Sequence, residues 1–357
     1  MRILQVSSAS YTVGGGMSEY VRNVSEKLAR NHEVTVLATR TSFSLEKKEI
    51  INGVRVVRLQ SYAPSGAFYF SWELPVRLLS EQYDVVHAHN YHAFPFHLSP
   101  LAKCRNFVVS PAFHGAGHTP FRDFVLNFFR PIGKLALKHA KYILAASEYE
   151  KNLLSRYFNI RSADIIVIPR GINFSEFRGL KKQKRDFKSV LFVGSLVEYK
   201  GPRYVIEALP KLDDDVILEI VGKGPLRNSL EQLAKKLEIH NRVRFYQNLP
   251  RRELLQKYLD SDVFVLPSRY EAFSKVVAEA LALETPSIVA QTSALQEWID
   301  DESCFGVSYP INVNELSDRI NTVLEKDVDK STMKKWVGTK IIDWSDVAMK
   351  LESIYDT

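Results

Sequence analysis

Two glutamates, Glu271 and Glu279, stand with seven residues between them in Leu266-Pro-Ser-Arg-Tyr-Glu-Ala-Phe-Ser-Lys-Val-Val-Ala-Glu-Ala-Leu281. The apolar run Val263–Leu266 predicts a strand, the next residues a loop, and the following periodicity a helix opening near Ala272–Ser274. Carboxylates at these two places can accept hydrogen bonds from vicinal hydroxyls. The N–H groups of the helix N-terminus between them suit a diphosphate. Counted as helix from residue 272, the rise to Glu279 is about 10 Å, near the span from sugar to ribose in an extended nucleotide-sugar. The pair is not a glycosidase acid and base, because those flank a scissile bond from opposite sides.

Other residues invite weaker readings. Gly14-Gly-Gly16 follows the first strand and precedes a helix, where backbone N–H groups can approach a phosphate. It is not a dinucleotide fingerprint, since Glu19 stands where a third glycine is needed. His87, His89 and His92 could suggest a metal, but strand alternation puts only the first two on one face. Asp213-Asp-Asp215 directly precedes a strand and reads as a solvated turn. No metal site is expected.

The elements that must carry these residues alternate between short β-branched runs and amphipathic helices. Strands are expected at Arg2–Val6, Glu33–Ala38, Val54–Leu59, Asp84–Ala88, Phe107–Ser110, Tyr142–Ala146 and Ile165–Ile168. A second series begins at Ser189–Val193 and runs through Val216–Val221, Val243–Tyr246, Val263–Leu266 and Ser287–Ala290. Such alternation predicts α/β architecture, with two doubly wound Rossmann-like domains. The expected boundaries are residues 1–168, a polar linker over 169–186, and 187–335, with a closing helix over 343–357. Ligands in open α/β sheets sit beyond the carboxyl ends of the strands, so the crevice facing both domains is the expected site.

The chain has 357 residues, enough for two domains of ordinary size. Hydrophobic residues make up 45% and charged ones 25%, which excludes disorder and coiled coil as the main state. Cys104 and Cys304 make no disulfide framework, and no signal peptide or membrane-spanning run is read, so a cytoplasmic location is expected. Of the net +7, Arg178 to Lys188 carries a local +5 and Phe121 to Tyr142 a local +4, so the remainder is nearly neutral. Focused charge favours anionic partners. No aromatic recognition motif accompanies it, so nucleic acid is not an expected partner. Phe121, Phe124 and Phe128 among basic residues fit either a face resting on anionic lipid or an aromatic core face.

Around the glutamate pair, the chain resembles the retaining GT-B glycosyltransferases grouped as family 4, whose pattern is E-x7-E beginning "EGFG". Asp262-Val-Phe-Val-Leu-Pro-Ser268, Ala278-Glu-Ala-Leu281, the Gly14–Gly16 region, Asp84-Val-Val-His-Ala-His89, Ala146-Ser-Glu148 and Ile168-Pro-Arg-Gly-Ile-Asn173 carry the resemblance over nearly the whole chain. Ala272 and Ser274 replace the two family glycines. The closing Trp344–Tyr355 segment resembles the helix that packs back on the first domain.

The resemblance implies transfer of a sugar from a nucleotide-diphosphate donor, a UDP- or GDP-sugar, to an acceptor hydroxyl, with retention and no required cofactor. His114, Glu271 and Lys200 are the implied catalytic residues. Gly15, Gly16, Ser195, Lys200, Gly222, Phe273, Ser274, Lys275 and Glu279 are the implied donor-binding residues. Ser195 stands where the family has an arginine, and Arg170, Arg203 or Arg269 could supply that charge. The acceptor is expected to be a glycan or a lipid-linked molecule, with peripheral contact to the inner membrane face through Phe121–Tyr142. The alternatives are a sugar-nucleotide-binding partner subunit with weak or no catalysis, and an epimerase or phosphorylase on the same fold.

Overall fold

The computed structural model describes residues 1–8, 10–12, 15–40, 42, 44–62, 70–115, 120–326, 328 and 330–357, with backbone alone for 120–122 and 330–332. The chain divides into two compact units, Met1–Gly171 with Ile342–Thr357, and Ile172–Ile341. The first begins with β1 (Arg2–Val6), α1 (Gly16–Leu28), β2 (Glu33–Arg40), β3 (Lys48–Ile51), β4 (Val54–Gln60) and α2 (Glu73–Ser80). It continues through β5 (Gln82–His89), α3 (Phe94–Leu98), β6 (Lys103–Ser110), α4 (Pro120–His139), β7 (Tyr142–Ala145), α5 (Glu148–Phe158) and β8 (Ile165–Val167).

The second unit opens with β9 (Lys188–Val193), α6 (Pro202–Ala208), β10 (Val216–Val221), α7 (Arg227–Lys236), β11 (Val243–Tyr246) and α8 (Arg251–Asp260). Then come β12 (Val263–Leu266), α9 (Lys275–Ala282), β13 (Ser287–Ala290), β14 (Cys304–Val307), α10 (Val313–Glu325) and α11 (Lys330–Lys340). The last helix, α12 (Trp344–Tyr355), returns to the first unit.

The first sheet has the order β3-β4-β2-β1-β5-β6-β7-β8, parallel except for the antiparallel β3–β4 pair. Its strands are apolar on both faces because helices cover both. Leu4, Val86, Val109 and Ala145 enter one core, and their neighbours Ile3, Val85, Val108 and Leu144 enter the other. α12 lays Val347, Leu351 and Tyr355 into the second core beside Tyr20, Val21, Val24 and Leu28 of α1. Asp343 and Asp346 form a capping box that fixes where α12 starts.

The second sheet is all parallel, in the order β11-β10-β9-β12-β13-β14. β3 (Lys-Glu-Ile-Ile) and β14 (Cys-Phe-Gly-Val) are not expected from the sequence, because the first holds only two apolar residues and the second has a glycine in its interior, which weakens a strand pattern. The stretch read as a linker over 169–186 has definite anchors. Gln183 N–H donates to Asp260 at 2.8 Å, and Arg185 pairs with buried Glu219 at 2.8 Å and with Asp260 at 3.3 Å. Part of that basic run is thus consumed inside the second unit.

Candidate active site

In the second unit the chain moves outward from β9 through β10 to β11, then returns to β12 and moves the other way through β13 to β14. β9 and β12 are therefore neighbours at a topological switch point, where the connections leaving their carboxyl ends diverge and open a crevice. The β9 connection is tied to the β12 connection by Arg269 N–H, which donates to the Tyr199 carbonyl at 2.7 Å. Gly201 (φ +70°) permits this approach, since a Cβ there would lie 2.6 Å from the Pro267 carbonyl oxygen. At the same place Lys200 Nζ donates to Glu271 Oε1 at 2.5 Å, with both side chains mostly buried. Burial alone would lower the Lys200 ammonium, but the Glu271 carboxylate outweighs it and raises the pKa, so Lys200 stays a cation.

Glu271 lies in the loop, not on the helix. Its N–H donates to Ser293 Oγ at 3.0 Å and its carbonyl accepts from Ala294 N–H at 3.2 Å, so a third connection, after β13, holds it. α9 begins at Lys275, later than the expected opening at 272–274. Glu279 is therefore about one turn inside the helix, a rise of about 6 Å instead of about 10 Å. The delay has a local cause. Ser274, the N-cap, sits at φ +73°, a left-handed conformation that stops the helix from extending backward. The family glycine at that position is thereby explained, and Ser274 takes the conformation with a Cβ. Its buried Oγ has no hydrogen-bond partner among the described residues. Phe273 turns its ring into the core against Trp298, whose indole N–H donates to the Phe273 carbonyl at 2.6 Å, leaving only its backbone near the helix mouth.

Glu279 is buried and faces two cations, Arg251 at 2.7 Å and Lys275 at 2.8 Å. Burial would raise its carboxyl, but Lys275 and Arg251 together hold it below the usual range. It is thus an acceptor-only group at neutral pH. Arg251 also pairs with Glu176 at 2.7 Å. Arg251 was missed from the sequence, and its signal was weak: an arginine directly after Pro250 at the start of α8.

Ser195 is exposed on the β9 connection. Of the arginines proposed to replace its missing charge, Arg203 is engaged with Glu207 at 2.7 Å and Arg170 belongs to the first unit. Arg269 stands on the Glu271 loop beside Tyr270. Gly222 follows β10, and a Cβ there would fall 1.9 Å from the Gly194 carbonyl oxygen. Close approach of two backbones is a sufficient reason for that glycine.

The first unit has its own switch point, between β1 and β5. Gly15 caps α1 and Gly16 opens it, both exposed; Gly14 lies outside the described residues. Across the switch, Asn90 Nδ2 donates to Ser8 Oγ at 3.2 Å. His114 follows β6, and its ring stacks on His92 at 4.1 Å between centroids with an 8° interplanar angle. His87 and His89 are instead buried together, their rings 4.1 Å apart. His87 meets Tyr355 Oη at 2.6 Å and Ser110 Oγ at 2.8 Å, and His89 meets Gln5 at 2.5 Å. Burial pushes His87 down to about 3, so this pair is neutral core structure. Among the described residues no group of three or more His, Cys, Asp or Glu could hold a metal.

On α4, Phe124 and Phe128 are 69% and 68% exposed, and Ile132 and Leu135 are exposed beside them. The stripe is therefore not a core face; the Phe121 side chain lies outside the described residues. Among the described residues no helix is long and apolar enough to cross a membrane.

Comparison with known proteins agrees with this architecture. Residues 174–337 match the family model described as glycosyl transferases group 1, and residues 14–176 match that of glycosyltransferase family 4. A curated relative, an uncharacterized glycosyltransferase of Methanocaldococcus jannaschii, is 27% identical over 96% of this chain and 94% of its own length. Sucrose-phosphate synthase from Thermosynechococcus elongatus superimposes with a TM-score of 0.82 at 21% identity, over 99% of this chain and 98% of that one. Anabaena HepE in complex with UDP-glucose superimposes with a TM-score of 0.78 at 16% identity, over 100% of both chains. With both halves matched and the fold shared, the chain belongs to the group 1 and family 4 glycosyltransferases, and is a glycosyltransferase of the GT-B fold class.

Proposed function

We propose that this enzyme transfers a hexosyl group from a nucleotide-diphosphate sugar to an acceptor hydroxyl with retention at the anomeric carbon, and that its second unit holds the donor. The reading rests on the Lys200–Glu271 pair at the β9–β12 switch point, with α9 opening four residues beyond Glu271. In this arrangement Glu271 accepts hydrogen bonds from sugar hydroxyls, and Glu279 accepts them from ribose. Lys200 and the N-terminus of α9 stabilise charge on the departing diphosphate. Ser274, Lys275 and the backbone of Phe273 border that N-terminus, and Ser195 and Gly222 border the neighbouring connections. His114 of the first unit orients a hydroxyl of the reacting sugar or stabilises transition-state charge, as an imidazole can near neutral pH. The acceptor is a glycan or lipid-linked hydroxyl compound.

The Anabaena structure bound to UDP-glucose makes a UDP-sugar the first donor to try. A thermal-shift screen against UDP-, GDP- and ADP-sugars tests this, because a ligand of the folded state alone raises its stability. A single preferred donor, followed by an NMR assignment of the product anomer as retained, is the expected result. A flat response to all donors, or an inverted product, would falsify the reading.

The exposed stripe of α4 suits contact with an anionic membrane surface. Aromatic contacts continue it, from Phe129 to Phe94 at 6.1 Å, to Phe70 at 4.9 Å and to Trp72 at 4.5 Å. Trp72 is 83% exposed, an amphipathic ring of the kind favoured at membrane interfaces. Lys134 and Lys138 lie on the same helix and complement anionic headgroups. Such contact would bring the enzyme to a lipid-linked acceptor on the cytoplasmic face.

A further inference from the structure

The sequence Ser147-Glu-Tyr-Glu150 opens α5 with a Ser-x-x-Glu pattern, which ordinarily closes a helix N-terminus on itself. Half of that box forms, as Ser147 Oγ accepts from Glu150 N–H at 3.1 Å. The Glu150 side chain, however, reaches beyond the helix. Oε1 accepts from Phe113 N–H at 2.7 Å, and Oε2 accepts from Ala146 N–H at 2.8 Å. One fully buried carboxylate thus joins the carboxyl ends of β6 and β7.

Phe113 directly precedes His114, and its buried ring packs against Tyr91 and Phe158. Ala112 sits at φ +50°, a left-handed conformation that is unfavourable for a residue with a Cβ. A loop with that bias needs an outside hold, and the bond from Phe113 N–H to Glu150 supplies one immediately after the strained residue.

We propose that Glu150 is a positioning residue for His114, its carboxylate clamping the 111–115 backbone to the start of α5 so that the His114 ring keeps its place on His92. The proposal rests on the assignment of His114 to sugar transfer only for its functional consequence, not for the clamp. Burial pushes the Glu150 carboxyl up to about 7, against the lowering pull of the Ala146 and Phe113 N–H groups, the Arg170 charge and the Ala112 N–H. Arg170 beyond β8 and Tyr20 of α1 are the titratable groups that face it across a small cavity also lined by Ser110. A protonated carboxyl has one oxygen that donates, so it cannot serve both N–H groups equally. The clamp therefore loosens as pH falls through about 7.

The test is NMR of the full chain between pH 5.5 and 8.5, following the Phe113 and Ala146 amides and the His114 ring, in the wild type and in Glu150→Gln. In the wild type both amides should shift with one inflection near 7. In Glu150→Gln that inflection should vanish and the His114 resonances should move. Phe113 and Ala146 amides that lack the downfield shift of a carboxylate-bonded N–H at pH 8.5, or a His114 ring unaltered by Glu150→Gln, overturn the clamp. The wild-type shifts decide even if the variant folds poorly, and amides that keep those shifts without titrating overturn the loosening with pH. With the donor found by screening, Glu150→Gln should lower kcat on the order of 10²-fold with donor KM unchanged, because misplacement and not donor binding is affected. The acid limb of the wild-type profile should move to lower pH in the variant. If His114→Ala remains fully active, the His114 assignment fails. If His114→Ala is impaired while Glu150→Gln is not, the clamp fails.

Discussion

Lys200 and Glu271, 71 positions apart in sequence, meet at 2.5 Å where the connections of β9 and β12 part. A cation and an anion are thereby fixed side by side at the mouth of α9. The two charges have different targets in the proposed reaction, one the diphosphate and the other the sugar.

Replacing either member should therefore damage turnover more than folding. Lys200→Ala and Glu271→Gln are each expected to lower kcat/KM by about 10²–10³-fold, the usual loss when one preorganised charge or donor is removed. The double variant should lose less than the product of the two effects, because the groups touch. Steady-state kinetics with the screened donor checks this, and wild-type rates in both single variants would rule the roles out.

Glu279→Gln should act on donor binding. Its carboxylate is held ionised by Lys275 and Arg251 despite burial, and in the proposed reaction it would meet the ribose hydroxyls as a charged acceptor. Losing that charge should weaken donor affinity by about 1.5–3 kcal/mol in calorimetry, the range for hydrogen bonds to charged groups. Equal affinity for a deoxyribose donor and a ribose donor in the wild type would count against this contact.

Ser274→Gly should stabilise the second unit. The left-handed φ of +73° costs a residue with a Cβ, and glycine removes that cost while adding unfolded-chain entropy. A net gain of up to about 1 kcal/mol is expected from denaturant unfolding. A loss of stability would mean that the Ser274 side chain contributes more than its conformation costs.

Acid should destabilise the first unit in a defined window. His87 and His97 have folded values of about 3 and about 4 against an ordinary 6.5, in each case because burial penalises the cation. His89 is lowered well below 6.5, first by burial and then by His87 and Arg170. A lowered histidine contributes stability that is complete above 6.5 and is lost as pH falls toward the folded value. Each should contribute about 1.4 kcal/mol per pH unit across its own window. Glu150 has the opposite sign between 4.5 and about 7, since its folded value is raised, but it is one group against three. Melting temperature should fall steadily below pH 6.5, and the slope should be shallower in His87→Gln.

The α4 stripe predicts binding to vesicles containing anionic lipid. Phe124→Ser and Phe128→Ser should each weaken partitioning by roughly 10-fold or more, as burying a phenylalanine contributes about 1.5–3 kcal/mol. Sedimentation with anionic and neutral vesicles checks this. Undiminished binding by the variants would show that the stripe is not the contact.

Much of this molecule could be read from neighbouring residues alone. β-Branched runs separated by amphipathic stretches gave most strands of both sheets, and the segment around Glu271 and Glu279 was legible as strand, loop and helix, because periodicity is a property of adjacent residues. The start of α9 was misplaced by a few residues, since no spacing reveals that Ser274 adopts a left-handed φ. The identity of each charge's partner lay further out of reach. Arg251 joins Glu279, Lys200 joins Glu271, and Glu150 leaves its own capping pattern to hold Phe113. Strand order decides these pairings by choosing which connections become neighbours, and that choice depends on the packing of residues far apart in the chain.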